Sequence, residues 1–191
     1  MQPQPVVTQR TLVAYVEDLP GVLNRVASLF RRRNYNIVSL TVGRTHEPGM
    51  SRITLVVEAD PDVSRRIQAN LYKLVNVVSV EDITDVPNLI RDVALIKVST
   101  NQSDAETDAA VVREAICRLA EDYRARVVDV ADDAMTLEVA GRLEKIEKIV
   151  EALRPFGILE MAQSGVIAMS RGGQSLVAAQ KNAARDPHRA A

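Results

Sequence analysis

The feature that most constrains this fold is a rhythm that runs through the chain twice. Short β-branched strands and amphipathic helices follow one another in the order β-α-β-β-α-β, and after a short connection the order repeats. In the first pass, Thr11 to Glu17 reads as a strand. A helix over about 21–33 carries Val22, Leu23, Val26, Leu29 and Phe30 at helical spacing. It ends in Arg31-Arg32-Arg33, cations that complement a helix C-terminus, and Asn34 suits the left-handed cap. Strands over 36–44 and 51–58 flank the turn Thr45-His46-Glu47-Pro48-Gly49. Asp60-Pro61 opens a helix with Val63, Ile67, Leu71 and Leu74 inward, and 77–83 is the fourth strand. This is the split βαβ, or ferredoxin-like, plan, with two helices on one side of an antiparallel sheet.

The second pass begins after Thr84-Asp85-Val86-Pro87-Asn88. Asp92 to Val98 is a strand. A helix from about Ala105 to Glu121 turns Val112, Ala115, Ile116 and Leu119 inward. Ala125 to Val130 and Met135 to Val139 form a hairpin around Asp132-Asp133. The helix from Leu143 to Leu153 sets Leu143, Ile146, Ile149, Val150 and Leu153 on one stripe. Pro155-Phe156-Gly157 turns the chain into a last strand from Ile158 to Met169. The two passes share element order but little sequence, so the repeat is architectural. The expected class is α+β, built from two consecutive βαββαβ ferredoxin-like units. The expected divisions are a flexible N-terminus over 1–10, a first unit over 11–84, a linker over 85–91, a second unit over 92–171 and a flexible tail over 172–191. Within the tail, Gln174 to Ala184 has the composition of a short helix.

Where the first strand hands over to the first helix lies Glu17-Asp18-Leu19-Pro20-Gly21-Val22-Leu23. Asp18 suits an acceptor for free N–H groups at a helix start, and Pro20 suits a turn or a first helical turn. Gly21 leaves room for a ligand or a second backbone. A helix N-terminus attracts carboxylates and phosphates. Two readings fit this stretch: a plain strand–helix connection, or a small-molecule site.

Other chemistry is scarce. The 191 residues carry a net charge of −1, which points to neither nucleic acid nor an anionic membrane. Aromatic residues are 3% and Trp is absent, too few rings for a base-stacking platform. No Gly-rich phosphate loop or nucleophile elbow is present. His46 has no second ligand nearby for a metal, and Cys117, the single cysteine, has no catalytic partner in sight. No apolar run approaches a membrane span, and no secretory signal is seen, so a cytoplasmic location is expected.

The run from Glu17 through Val26, Leu29-Phe30, and Arg33-Asn34-Tyr35-Asn36-Ile37-Val38-Ser39-Leu40-Thr41-Val42 resembles the ACT domain of acetolactate (acetohydroxyacid) synthase small, regulatory subunits. Ser51-Arg52-Ile53-Thr54 and Ala162-Gln163-Ser164-Gly165-Val166-Ile167-Ala168-Met169-Ser170-Arg171-Gly172 extend the likeness, which covers about 10–172. Asn34 stands where the family usually has Gly, and Asp18 where some members have Asn. The resemblance implies that the first unit is an ACT domain and that two copies pair edge to edge. It implies that valine, or leucine or isoleucine, binds at that interface. The effector-binding set is then Asp18, Leu19, Pro20, Gly21, Val22 and Leu23, with Asn36, Ile37 and Val38, where Asn36 comes from the partner subunit. The large catalytic subunit would carry thiamine diphosphate, Mg and FAD, with no cofactor or metal and no catalytic residue on this chain. The rivals are an amino-acid-responsive ACT-domain regulator of another enzyme or of transcription, the latter needing a DNA-binding element, and a self-sufficient enzyme, which needs convergent acids, bases or nucleophiles over 91–171.

Overall fold

A computed structural model describes residues 7–101 and 109–173. The readings over 1–6, the first residues of the helix expected from Ala105, and Gln174 to Ala184 lie outside these residues. The chain divides into two compact units. One runs to Leu89 and includes the segment from Val166; the other is Ile90–Gly165.

The first unit contains β1 (Thr8–Glu17), α1 (Val22–Arg33), β2 (Ile37–Arg44), β3 (Met50–Ala59), α2 (Pro61–Leu71) and β4 (Val77–Asp82). Its sheet has the order β2-β3-β1-β4, with every neighbouring pair antiparallel. Register places Leu12 opposite Leu55 and Ala14 opposite Ile53, so these residues share one face. On that face they meet Val22, Val26 and Phe30 of α1 and Ile67 and Leu71 of α2 in a single apolar core. Local chemistry sets two of the helix ends as the sequence implies, the start of α2 and the end of α1. Asp60 accepts from the Val63 N–H at 2.7 Å, and Pro61 follows as the first helical residue. Asn34 closes α1 at φ 55°, in the left-handed region.

Two stretches read as irregular are strand. β1 begins at Thr8 within the expected loose lead-in, and β5 begins at Asn88 within the expected linker. Distant partners explain both. Arg10 is 8% exposed, and its guanidinium donates to Asp82 and Asp85 at 2.6 Å each. Thr8, Gln9 and Arg10 also pair with Ala59, Glu58 and Val57. At the start of β5, the Pro87 carbonyl accepts from the Arg171 N–H at 2.8 Å. None of these partners is near in sequence.

Asp82 is the hub of this clasp. It accepts from Arg10, from the Ser64 hydroxyl, and from the N–H and hydroxyl of Thr84. Burial pushes its carboxyl up, but these donors outweigh burial and hold it below the ordinary 3.8. A lowered folded value stabilises above the unfolded pKa and is lost as pH falls through the folded one. The urea midpoint of the native chain should therefore exceed that of Asp82→Asn at neutral pH, and the gap should close below about pH 4. A gap that stays constant through acid would contradict this account.

The second unit contains β5 (Asn88–Ser99) from Ile90 onward, α3 (Ala109–Asp122), β6 (Arg126–Val130), β7 (Ala134–Gly141), α4 (Leu143–Leu153), a 3-10 turn (Arg154–Phe156) and β8 (Ile158–Gln163). Its sheet order, β6-β7-β5-β8, repeats that of the first. Val112 and Ile116 of α3 and Ile146, Ile149 and Leu153 of α4 pack on Ala94, Ile96, Val98, Leu137 and Val139. Leu143 is an exception to the expected stripe. It is the first residue of α4 and stands exposed, ahead of the turn that meets the sheet.

The last strand read over Ile158 to Met169 is broken. β8 ends at Gln163, Gly165 takes φ 81°, and β9 (Ile167–Ser170) follows. Residues 166–173 belong to the first unit. There Arg52 donates to the Ala168 carbonyl, and Ala168 is buried. Arg52 shares its strand face with Thr54 and Val56, so β9 lies on the side of the first sheet away from the helices.

Candidate functional site

The turn between β1 and α1 is shaped by Pro20 and Gly21. The Leu19 carbonyl accepts from the Val22 N–H at 3.4 Å across them. Gly21 sits at φ 84° and ψ −4°, which a type II turn requires after proline and which L side chains strain to adopt. Its carbonyl accepts from the Arg25 N–H at 3.0 Å, the first bond of α1. Gly21 is therefore the N-cap residue, with no side chain to cap the helix. Asp18, expected to accept from the helix start, does not. Leu19, Pro20 and Gly21 intervene, and the Asp18 carboxylate faces Arg44 instead, with Nε 3.4 Å from Oδ2. The Asp18 N–H donates to the Gly49 carbonyl at 2.8 Å, which ties the turn to the β2–β3 hairpin.

The mouth of α1 is thus left open. Among the described residues, the N–H groups of Leu23 and Asn24 donate to no other group. A Cβ added at Gly21 would meet nothing within 4 Å. Free donors, the positive end of the helix dipole and open space together favour an anionic group. Around them stand an acceptor, Asp18, and the exposed apolar side chains of Leu19 and Leu23. Helical spacing predicts Leu23 on the apolar face of α1. It lies off that face, which consists of Val22, Val26, Leu29 and Phe30.

Asn36, Ile37 and Val38 stand elsewhere. Asn36 is exposed and, among the described residues, makes no side-chain hydrogen bond. Ile37 packs on the core and Val38 is exposed. They follow the C-terminal end of α1, whose 12 residues span about 18 Å. One chain therefore does not bring Asn36 to Gly21. β2, which carries Ile37 and Val38, is an edge of the sheet. Arg44, at the far end of that edge, is a site candidate that the sequence reading passed over. Its signal in the sequence is the β1-α1-β2 crossover, which sets β2 parallel to β1 and so brings its end to the level of Asp18.

Residues 12–79 match the family model described as an AHAS small subunit-like ACT domain, and residues 91–172 match the one described as small subunit of acetolactate synthase. An acetolactate synthase small subunit of Mycolicibacterium smegmatis is 43% identical over 170 residues, which cover 89% of this chain and 95% of that one. The chain belongs to the acetolactate synthase small-subunit family. A relative from Aquifex aeolicus is 42% identical over 165 residues, 86% of this chain and 82% of its own. The crystal structure of the small subunit from Thermotoga maritima matches at a TM-score of 0.77 and 33% identity, covering 87% of this chain and 99% of that one. The α+β class, the two ferredoxin-like units and the ACT character of the first agree with the expectation from sequence. Among the described residues, no helix is long and apolar enough to cross a membrane.

Proposed function

We propose that this regulatory small subunit activates the catalytic subunit of acetolactate synthase and confers feedback inhibition by valine, with leucine or isoleucine as alternative effectors. The observation that carries the reading is the open helix mouth at Gly21. An amino acid needs donors for its carboxylate, an acceptor for its ammonium and an apolar wall. The N–H groups of Leu23 and Asn24, the Asp18 carboxylate and the side chains of Leu19 and Leu23 supply these types. Thiamine diphosphate, Mg and FAD belong to the catalytic partner in this proposal, and branched-chain amino-acid synthesis is its setting.

The distance between Gly21 and Asn36 supports a dimeric site. If β2 pairs antiparallel with β2 of a second copy across a two-fold axis, the start of one strand meets the end of the other. Asn36, Ile37 and Val38 of the partner subunit then come to the Arg44 end, beside Asp18. Pairing also covers an unpaired sheet edge that carries the exposed Val38 and Val42. The chain should sediment as a dimer at micromolar concentration, with or without valine, and co-purify with the catalytic subunit. A monomer that still binds valine would refute the shared site.

A further inference from the structure

Charge is spread unevenly over the helices of this chain. α1 and α2, which cover one side of the first sheet, carry six arginines and one acid, Asp62. α3 and α4 carry four cations and six acids. The whole chain has a net charge of −1, so the basic face is a local feature. Arg25, Arg31, Arg32, Arg33, Arg65 and Arg66 are all exposed. Among the described residues, Arg65 alone of the six meets a carboxylate, that of Asp62. Arg25 donates to the neutral Asn76 side chain at 2.8 Å.

Helix capping accounts for part of this face. Arg31, Arg32 and Arg33 fill the last turn of α1, where cations complement the dipole. Arg25 is the fourth residue of α1, towards the end that favours anions, and Arg65 and Arg66 stand in the middle of α2. Capping explains none of these three. Like charges gathered on one layer repel one another, and an opposing partner relieves that cost. The surroundings choose between anionic partners. A helix binds an anionic membrane through an exposed apolar face, and Val22, Val26, Leu29 and Phe30 of α1 are buried in the core instead. Single-stranded nucleic acid stacks its bases on rings set among the cations, and neither helix exposes a ring. Tyr72, just past α2, donates its hydroxyl to the Val80 carbonyl at 3.1 Å. An acidic protein surface needs neither device. Guanidinium forks match carboxylates, and arginine is enriched at protein interfaces. We propose that the helix face of the first unit is the surface by which this chain docks on an acidic face of the catalytic subunit, with charge attraction steering the encounter. The inference rests on the proposal above that the chain acts on that subunit.

The test measures binding of the full-length chain to the purified catalytic subunit at about 0.1 M and about 1 M salt, where screening sets in beyond about 10 Å and about 3 Å. Arg32→Glu/Arg66→Glu reverses one exposed arginine on each helix. Arg142→Glu/Lys148→Glu makes the same change of charge at exposed positions of the second unit. At the lower salt the first pair should raise Kd at least about tenfold, and the second should leave it within about twofold. The higher salt should weaken the native chain and narrow its lead over the first pair. If Arg32→Glu unfolds the end of α1, Arg65→Glu/Arg66→Glu, within α2, carries the test. Equal loss in both pairs, or no loss in the first, overturns the docking face and leaves the proposed function standing. If the first pair loses only binding to a single-stranded RNA oligonucleotide, and holds the catalytic subunit as the native chain does, the face belongs to nucleic acid and the inference falls. Failure of the native chain to bind the catalytic subunit overturns both.

Discussion

Gly21→Asp is expected to abolish inhibition by valine while leaving activation of the catalytic subunit intact. The structure provides room for the new side chain, since nothing lies within 4 Å of a Cβ at this position. The damage is therefore not a steric clash. A carboxylate would occupy the open mouth of α1 and meet the free N–H groups of Leu23 and Asn24 in place of the effector's own carboxylate. Loss of a hydrogen-bonded charge contact costs about 2–5 kcal/mol, so affinity should fall by at least roughly thirtyfold. A second cost arises from the backbone. At φ 84° an L residue is strained by about 1–2 kcal/mol, although Asp tolerates that region better than most. Some loss of thermal stability should accompany the loss of inhibition. Asn36→Ala should act more gently, weakening valine by about two- to tenfold, because it removes one neutral contact. Calorimetry on both variants, with activity over a valine titration, checks the order of these effects.

Phe30→Ala is expected to produce the largest loss of stability in the first unit. Phe30 is 1% exposed and meets Tyr35 edge to face, with ring centroids 5.8 Å apart. Its carbonyl also accepts from the Tyr35 N–H at 3.1 Å. Removing a buried phenyl ring costs about 3–5 kcal/mol, against a typical domain stability of about 5–15 kcal/mol. With about 4–8 °C of Tm per kcal/mol in a domain of this size, the transition of the first unit should fall by at least about 12 °C. Tyr35 leads directly into Asn36, so the start of β2 should loosen as well. Hydrogen exchange should show faster opening at residues 35–38 than in the second unit. A shift of only a few degrees would mean that α1 does not pack on the sheet through this ring.

Structure is legible in this sequence where the determining partners are local. Asn34 and Asp60 act as the caps their side chains suit, because a cap satisfies groups within a few residues. The span of α4 matched because its stripe of Ile146, Ile149 and Leu153 repeats at helical period. Structure is not legible where the partner is far along the chain. Asp18 looked like a helix acceptor, yet Pro20-Gly21 sets its own turn and Arg44 offers a charge that no local pattern reveals. Arg10 looked like part of a loose lead-in until Asp82 and Asp85 supplied its counter-charges. Ser164-Gly165-Val166 looked like the middle of one strand. It breaks at Gly165, and the partners on either side, Asp92 for Ser164 and Ser39 for Val166, are far along the chain. The candidate site was legible as a stretch, since Pro-Gly before an apolar helix marks an open N-terminus. Its division between the two ends of α1 was not, because that depends on the length of the helix and on β2 lying at the sheet edge.

The most direct test of the central claim is the rate of acetolactate formation by the purified catalytic subunit, with and without this chain, over a titration of valine. Added chain should raise the rate in the absence of valine and make it fall as valine rises, and the Gly21→Asp chain should raise the rate without the fall. The account is contradicted if the chain changes neither the rate nor its response to valine, or if the Gly21→Asp complex is inhibited at the valine concentration that inhibits the native one.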